Sequence, residues 1–165
     1  MEPRWLSPEE QATWRAYLLA TMLIEAELDR QMLTDSDIPV AHYGILVALS
    51  EATDRRMRMR ELADALCSSP SRMTHAVAGL ERRGWVHRET CPTDARGQFA
   101  VLTDAGLAAL EAAAPNHVEA VRAQLFDRLT ADQVAQLRAI CETLLDGLGR
   151  NNAWPWAKLD ATPAG

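Results

Sequence analysis

Trp14, Leu18, Thr21, Ile24 and Leu28 recur at intervals of three and four along the first part of the chain, the spacing that places residues on one face of an α-helix. Ser7-Pro8-Glu9-Glu10 supplies the start of that helix: a hydroxyl to cap it, a proline at its first position, and Glu10 to close a capping box. The pattern predicts one long helix to about Met32, broken by Ser36-Asp37-Ile38-Pro39. A second helix is predicted over residues 40–52, with Ile45, Leu46 and Leu49 facing inward.

The middle of the chain changes rhythm. Residues 53–56 form a polar turn, and Met57-Arg58-Met59 alternates as a very short strand does. A short helix over residues 61–67 buries Leu62, Ala63 and Leu66, with Arg60 standing where a capping Ser or Thr is preferred. Ser68-Ser69-Pro70 ends that helix and starts another, Ser69 as cap and Pro70 at the first position. This next helix buries Met73, Val77 and Leu80 and runs to Arg83, where Gly84 supplies a left-handed stop. Two alternating strands, residues 85–90 and 98–102, flank a loop over residues 91–97 that is longer than a tight turn needs.

Thr103-Asp104-Ala105-Gly106 opens a further helix, predicted to kink at Pro115 and to continue to Leu129. Thr130-Ala131-Asp132-Gln133 is a second capping box. The last helix carries Val134, Leu137, Cys141, Leu144 and Leu148, a narrow 3-4-3-4 seam suited to packing along another helix. From Gly149 the tail is rich in Asn, Pro and Ala, includes Trp154 and Trp156, and reads as irregular.

The 165 residues carry a formal charge of −6, unpromising for a nucleic-acid partner until its distribution is considered. Between Arg55 and Ala100 stand arginines 55, 56, 58, 60, 72, 82, 83, 88 and 96 against acids 61, 64, 81, 89 and 94, a net +4 that leaves −10 for the rest. A basic middle between acidic ends is the asymmetry expected when one segment meets phosphate. The competing account is a chance cluster of arginines on a solvated face. No apolar run approaches the ~18 residues of a membrane span, and the acidic start MEPRWLSPEE lacks the order of a secretion signal. Cys67, Cys91 and Cys141 are scattered and odd in number, which fits a reducing compartment rather than a disulfide framework. These features lead us to expect a cytoplasmic protein without membrane contact. No phosphate-binding glycine loop, nucleophile elbow or local metal-ligand spacing occurs, so we expect neither an enzyme nor a cofactor.

Helix, Ser-Ser-Pro turn, capped helix and hairpin follow one another in the order of a winged helix-turn-helix, whose second helix lies in the major groove of DNA. The outward face of that helix holds Ser69, Ser71, Arg72, Thr74 and His75. Its short hydroxyls suit phosphates, and Arg72 and His75 can donate to guanine O6 or N7. Arg96 beside Gly97 is expected at the hairpin tip, where a guanidinium enters the minor groove. Asp94, two residues away, would orient that guanidinium or brace the loop. A surface hairpin with an incidental ion pair is the plainer alternative.

Three stretches resemble one family: R-E-L-A-D-A-L, then S-P-S-R-M-T-H-A-V-A-G-L-E-R-R-G-W-V, then P-T-D-A-R-G-Q-F-A-V-L-T-D-A-G. Together they look like the core of the MarR (multiple antibiotic resistance regulator) family over about residues 60–106, the D-x-R loop followed by L-T-x-x-G being the most specific element. The resemblance implies a fold that is mainly α with a small β-hairpin wing, the winged helix-turn-helix being flanked by dimerisation helices. It divides the chain into a dimerisation helix (1–35), a DNA-binding domain (36–104), C-terminal dimerisation helices (105–150) and an irregular tail (151–165). It further implies an obligate homodimer on double-stranded DNA, with Arg72 and His75 reading bases, Ser69, Ser71 and Thr74 holding phosphates, and Arg96 in the minor groove. The departures are Arg60 at the usual helix cap and Cys91 where an acid commonly opens the wing.

Many members of that family release DNA when a small aromatic acid or phenol binds between the dimerisation helices and the winged domain, by favouring a spacing of the reading helices that does not fit DNA. By that likeness Trp14, Tyr17 and His42 are candidate ligand contacts, with Met22 and Tyr43 nearby in sequence. The alternative is a thiol sensor, for which Cys91 is the candidate; Cys141 on the seam and Cys67 at the end of a buried stripe read as inert. A winged-helix module for protein assembly is a further alternative, separated from a DNA binder by the salt dependence of its affinity.

Overall fold

Ser7 opens the first helix through the reciprocal bonds its neighbours allow: its Oγ accepts from the Glu10 N–H at 3.1 Å, and Glu10 accepts from the Ser7 N–H at 2.7 Å. In this computed structural model, which describes residues 2–91 and 94–148, helix α1 (Pro8–Ser36) runs four residues past the expected Met32. It stops at Asp37, which adopts a left-handed conformation with φ 52°. Helix α2 (Val40–Glu51) follows, its first N–H held by the carboxylate of Asp29 on α1 at 2.9 Å. That bond stands in for the N-cap side chain that Pro39 lacks.

Strand β1 (Arg56–Arg58) leads directly into α3 (Met59–Ala65). This moves the cap expected at Arg60 to Arg58, whose N–H reaches the Glu61 carboxylate at 3.4 Å. The Glu61 carboxylate thus supplies the reciprocal half of a capping box, satisfying the N–H of the cap residue and not the N–H groups that a Ser or Thr cap would take. Helix α4 (Pro70–Arg82) starts at Ser69, whose Oγ accepts from the Arg72 N–H at 3.3 Å. It ends at Gly84 with φ +72°, where the Trp85 N–H turns back to the Leu80 carbonyl at 3.1 Å.

Strands β2 (Val86–Cys91) and β3 (Asp94–Leu102) join β1 in an antiparallel sheet of order β1-β3-β2. The register runs from Val86↔Leu102 to Thr90↔Gln98 and then jumps to Cys91↔Asp94. The long loop expected over residues 91–97 is thus largely strand, and the backbone of Arg96 lies within β3 rather than at a loop tip. Residues 95–97 are an excess on β3 with no counterpart on β2, a bulge of the kind that sharpens strand twist. The side chains of Cys91, Asp94 and Arg96, and the tail with Trp154 and Trp156, lie outside the described residues.

Helix α5 (Asp104–Gln124) runs without interruption through Pro115 and yields to a 3₁₀ turn, Phe126–Arg128, short of the expected Leu129. Helix α6 (Ala131–Gly147) is capped by the second reciprocal pair, Thr130 and Gln133, at 2.9 and 3.3 Å.

One core lies where α2, α3, α4, the sheet and α5 converge. Leu46 and Leu49 of α2, Leu62 of α3, Val77 and Leu80 of α4, and Ala100 of β3 are fully buried there. Only apolar side chains are buried among the described residues. The seam of α6 stays uncovered in the single chain: Leu137, Leu144 and Leu148 are exposed, as are Ile140 and Leu145 beside them. At 100° per residue this apolar face spans about 140°, broader than the two-helix seam the spacing suggested. Cys67, expected to end a buried stripe, is exposed instead, because the chain turns there with φ +50° and carries it out of the α3 face.

Candidate nucleic-acid interface

The first two turns of α4 separate their residues cleanly. Met73, Val77 and Leu80 are buried, while Ser69, Ser71, Arg72, Thr74 and His75 are all exposed together on the other side. Helix starts present unsatisfied N–H groups and a partial positive charge, and most here receive a carboxylate: Glu9 and Glu10 in α1, Glu61 in α3, Asp104 in α5, Asp132 in α6. The first turn of α4 has no acid and carries Arg72. Positive end and guanidinium therefore coincide, an arrangement that favours an anion supplied from outside.

The hydroxyls on this face are not equivalent. Ser69 Oγ accepts from the Arg72 N–H, which leaves its own proton to give. Thr74 Oγ1 already donates to the Pro70 carbonyl at 2.8 Å, so it reaches a phosphate only by rotating away from its own helix.

Two side-chain pairs that sequence reading did not find hold α4 in place. Glu81 accepts from Arg88 of β2 at 2.9 and 2.5 Å, a half-buried contact between α4 and the wing. The Arg88 guanidinium bonded to it holds the Glu81 carboxyl below the usual carboxylate range. At the end of α4, Arg83 donates to Asp37 at 2.6 Å and lies over the Trp85 ring at 4.8 Å. Both partnerships join residues that are neighbours only once the chain has folded. The third support was in view as part of the L-T-x-x-G motif. Thr103 Oγ1 donates to the Gly84 carbonyl at 2.7 Å and accepts from the Gly106 N–H at 3.0 Å. A Cβ on Gly106 would collide with the Trp85 carbonyl.

The candidate ligand residues fall in two places. Trp14 and Tyr17 stack on each other at 6.0 Å on the exposed face of α1. His42 is half-buried against α4, packed over Gly79, where an added Cβ would meet its ring at 3.0 Å. Tyr17 lies about 18 Å along α1 from Asp29, the residue that touches the start of α2, so one chain does not bring the two sets together. The Nδ1 atoms of His42 and His117 are buried without a hydrogen-bond partner. Burial lowers the pKa of both; for His42 the guanidinium charges of Arg83 and Arg82 lower it further. The His117 ring sits against Tyr43, 4.4 Å between centroids. Among the described residues no cluster of three His, Cys, Asp or Glu side chains is placed to hold a metal ion, and no helix is long and apolar enough to cross a membrane.

Two helices joined by a tight turn, the second with a polar outward face and a three-stranded wing behind it, define a winged helix-turn-helix protein. The family model described as the MarR family matches residues 36–97. The crystal structure of Sco3205, a MarR family transcriptional regulator from Streptomyces coelicolor in complex with DNA, is 51% identical, covers 88% of this chain and 92% of its own, and superposes with a TM-score of 0.83. AbsC, a MarR family transcriptional regulator from the same organism, is 37% identical over 89% of this chain and 99% of its own, with a TM-score of 0.81. The chain belongs to the MarR family. The transcriptional repressor MprA of Escherichia coli K12 is 29% identical over 118 residues, 72% of this chain and 66% of that protein.

Proposed function

We propose that this chain is a sequence-specific double-stranded DNA-binding transcription regulator, a repressor acting as a homodimer on a pseudo-palindromic operator. The observation that carries the reading is the acid-free, arginine-bearing first turn of α4, flanked by exposed Ser69, Ser71, Thr74 and His75. In this reading Arg72 and His75 meet base edges, the hydroxyls meet phosphates, and Arg96 enters the minor groove with Asp94 bracing it. The DNA complex of the 51%-identical Sco3205 supports it, and the repressor role follows the name of MprA. The exposed apolar residues of α1 and α6, Leu19, Met22 and Leu23 with Ile140, Leu144 and Leu148, support a second copy as the partner of residues 1–35 and 105–150. Half-sites then lie about 10 base pairs apart, centre to centre.

The effector in this reading is a small aromatic acid or phenol. Trp14 and Tyr17 offer stacking surface and His42 an unpartnered ring nitrogen.

A fluorescence-anisotropy titration tests the reading, using duplexes selected from a randomised library by the full chain against unselected duplex, at two salt concentrations, with and without salicylate. Preference for the selected duplex, falling steeply with salt, is the expected result; salicylate weakening it supports the effector. Equal, salt-insensitive binding to both duplexes refutes DNA reading and favours a protein-assembly module.

A further inference from the structure

Helix α4 presents its N-terminal end outward and is held at its C-terminal end, in part by the residue that closes α1. Arg83, the residue that closes α4, reaches across to Asp37, the residue that closes α1, at 2.6 Å. The Asp37 side chain is largely exposed, and it is the backbone beneath it that is constrained. Its backbone is in the left-handed region, and its N–H is tied to the Leu33 carbonyl at 3.1 Å. Ile38 is buried immediately after it. The Arg83 guanidinium also lies over the Trp85 ring, 4.8 Å from its centroid. One turn earlier on α4, Gly79 leaves room for the His42 ring of α2; a Cβ there would stand 3.0 Å from the ring and oblige it to shift by a few tenths of an ångström.

From this convergence we infer that Asp37 and Arg83 are positioning residues for DNA reading: their ion pair fixes the disposition of α4 relative to α1, and hence the separation of the two reading helices in the assembled protein. The inference rests on the proposed DNA-binding homodimer. Neither residue needs to touch DNA. Asp37 sits at the α1–α2 joint, and Arg83 lies at the opposite end of α4 from Arg72 and His75. A shift of α1 against its partner copy pulls on α4 through this pair. The Glu81–Arg88 contact makes the wing move with it. Such a link acts by biasing one of two arrangements of the reading helices rather than by adding a contact to DNA.

The test uses the full chain and a duplex that it selects from a randomised library, together with versions of that duplex lengthened or shortened by one and two base pairs between half-sites. Asp37→Asn keeps the size of the side chain and removes its charge, and Asp37→Glu restores the charge. The expected result for Asp37→Asn is a loss of about fivefold on the selected duplex, a flattened dependence on half-site spacing, and unchanged affinity for unselected DNA. Asp37→Glu is expected to recover the spacing dependence. A purely structural role would lower the unfolding midpoint and weaken all duplexes in proportion, leaving the spacing dependence intact, and that outcome overturns the inference. So does wild-type behaviour of Asp37→Asn on every duplex. A wild-type chain without preference for any selected duplex overturns the DNA-binding reading itself, and this inference with it.

Discussion

Single side chains on α4 differ in what they can contribute. Arg72 stands at a helix start whose orphan N–H groups already favour an anion, so in the proposed DNA-binding reading it is the residue where phosphate holding and base reading compete most directly. If it reads guanine, Arg72→Ala lowers affinity for a selected duplex by about 1–3 kcal/mol and leaves unselected duplex nearly unaffected. Parallel titrations on the two duplexes measure this; equal losses reassign Arg72 to the backbone. Two other side chains set a pH dependence. His42 faces Arg82 and Arg83 across the α2–α4 contact, and His117 packs on Tyr43. Both imidazoles titrate near 6.5 when unfolded and below that when folded. As pH falls through about 6.5 the unfolded chain takes up protons first. Stability is therefore complete above that pH and declines as pH drops toward the folded-state values. Thermal unfolding at pH 7.5 and 5.5 is expected to show a lower midpoint in acid. His42→Gln and His117→Gln should each reduce the difference, and an unchanged difference in both would assign the acid sensitivity elsewhere.

Elements in this chain were legible to the degree that their signals were local. The capping pairs Ser7–Glu10 and Thr130–Gln133, the Ser69-Pro70 start and the Gly84 stop all act within four residues, and all stand where the sequence put them. The strands were legible in position but not in extent. Whether residues 94–97 continue a strand depends on β2 lying alongside, which short-range alternation does not encode. Cys67 was misjudged for a related reason: helical periodicity continued through it, but the backbone had already turned left-handed. The pairs Asp37–Arg83 and Glu81–Arg88 were invisible, since only the fold makes them neighbours. The outward face of α4 was read correctly as a polar surface because the buried stripe Met73, Val77 and Leu80 leaves it no other direction. Gly106 shows how a motif acquires its mechanism. The start of α5 passes so close to the Trp85 carbonyl that no Cβ fits, so Gly106→Ala forces α5 away from the wing base. A loss of about 1–3 kcal/mol in denaturant unfolding is expected from such overpacking. The polar face of α4 would be untouched, and affinity measured well below the midpoint should hold.

At the scale of the whole molecule, one core joins the winged domain to Met32 of α1 and to Leu110 and Ala113 of α5, while α1 and α6 also carry apolar faces outward. In the proposed homodimer those faces meet a second copy, and an acid placed among them should separate the copies. Leu144→Asp is expected to sediment as a monomer and to lose affinity for a two-half-site duplex on the order of 100-fold, since each half-site then binds alone. A dimeric Leu144→Asp protein would place the interface elsewhere.

Helix α6 buries none of its residues within one chain, and an isolated helix of its 17 residues is marginal in water. Its order must be borrowed from whatever covers it. If that cover is another copy, folding of this element is a bimolecular event, and dilution acts on it as a denaturant does. The melting temperature then climbs with protein concentration. In a cell, a regulator built this way has a floor to its abundance: below it, newly made chains find no partner, leave their last helix frayed, and present that end first to proteolysis.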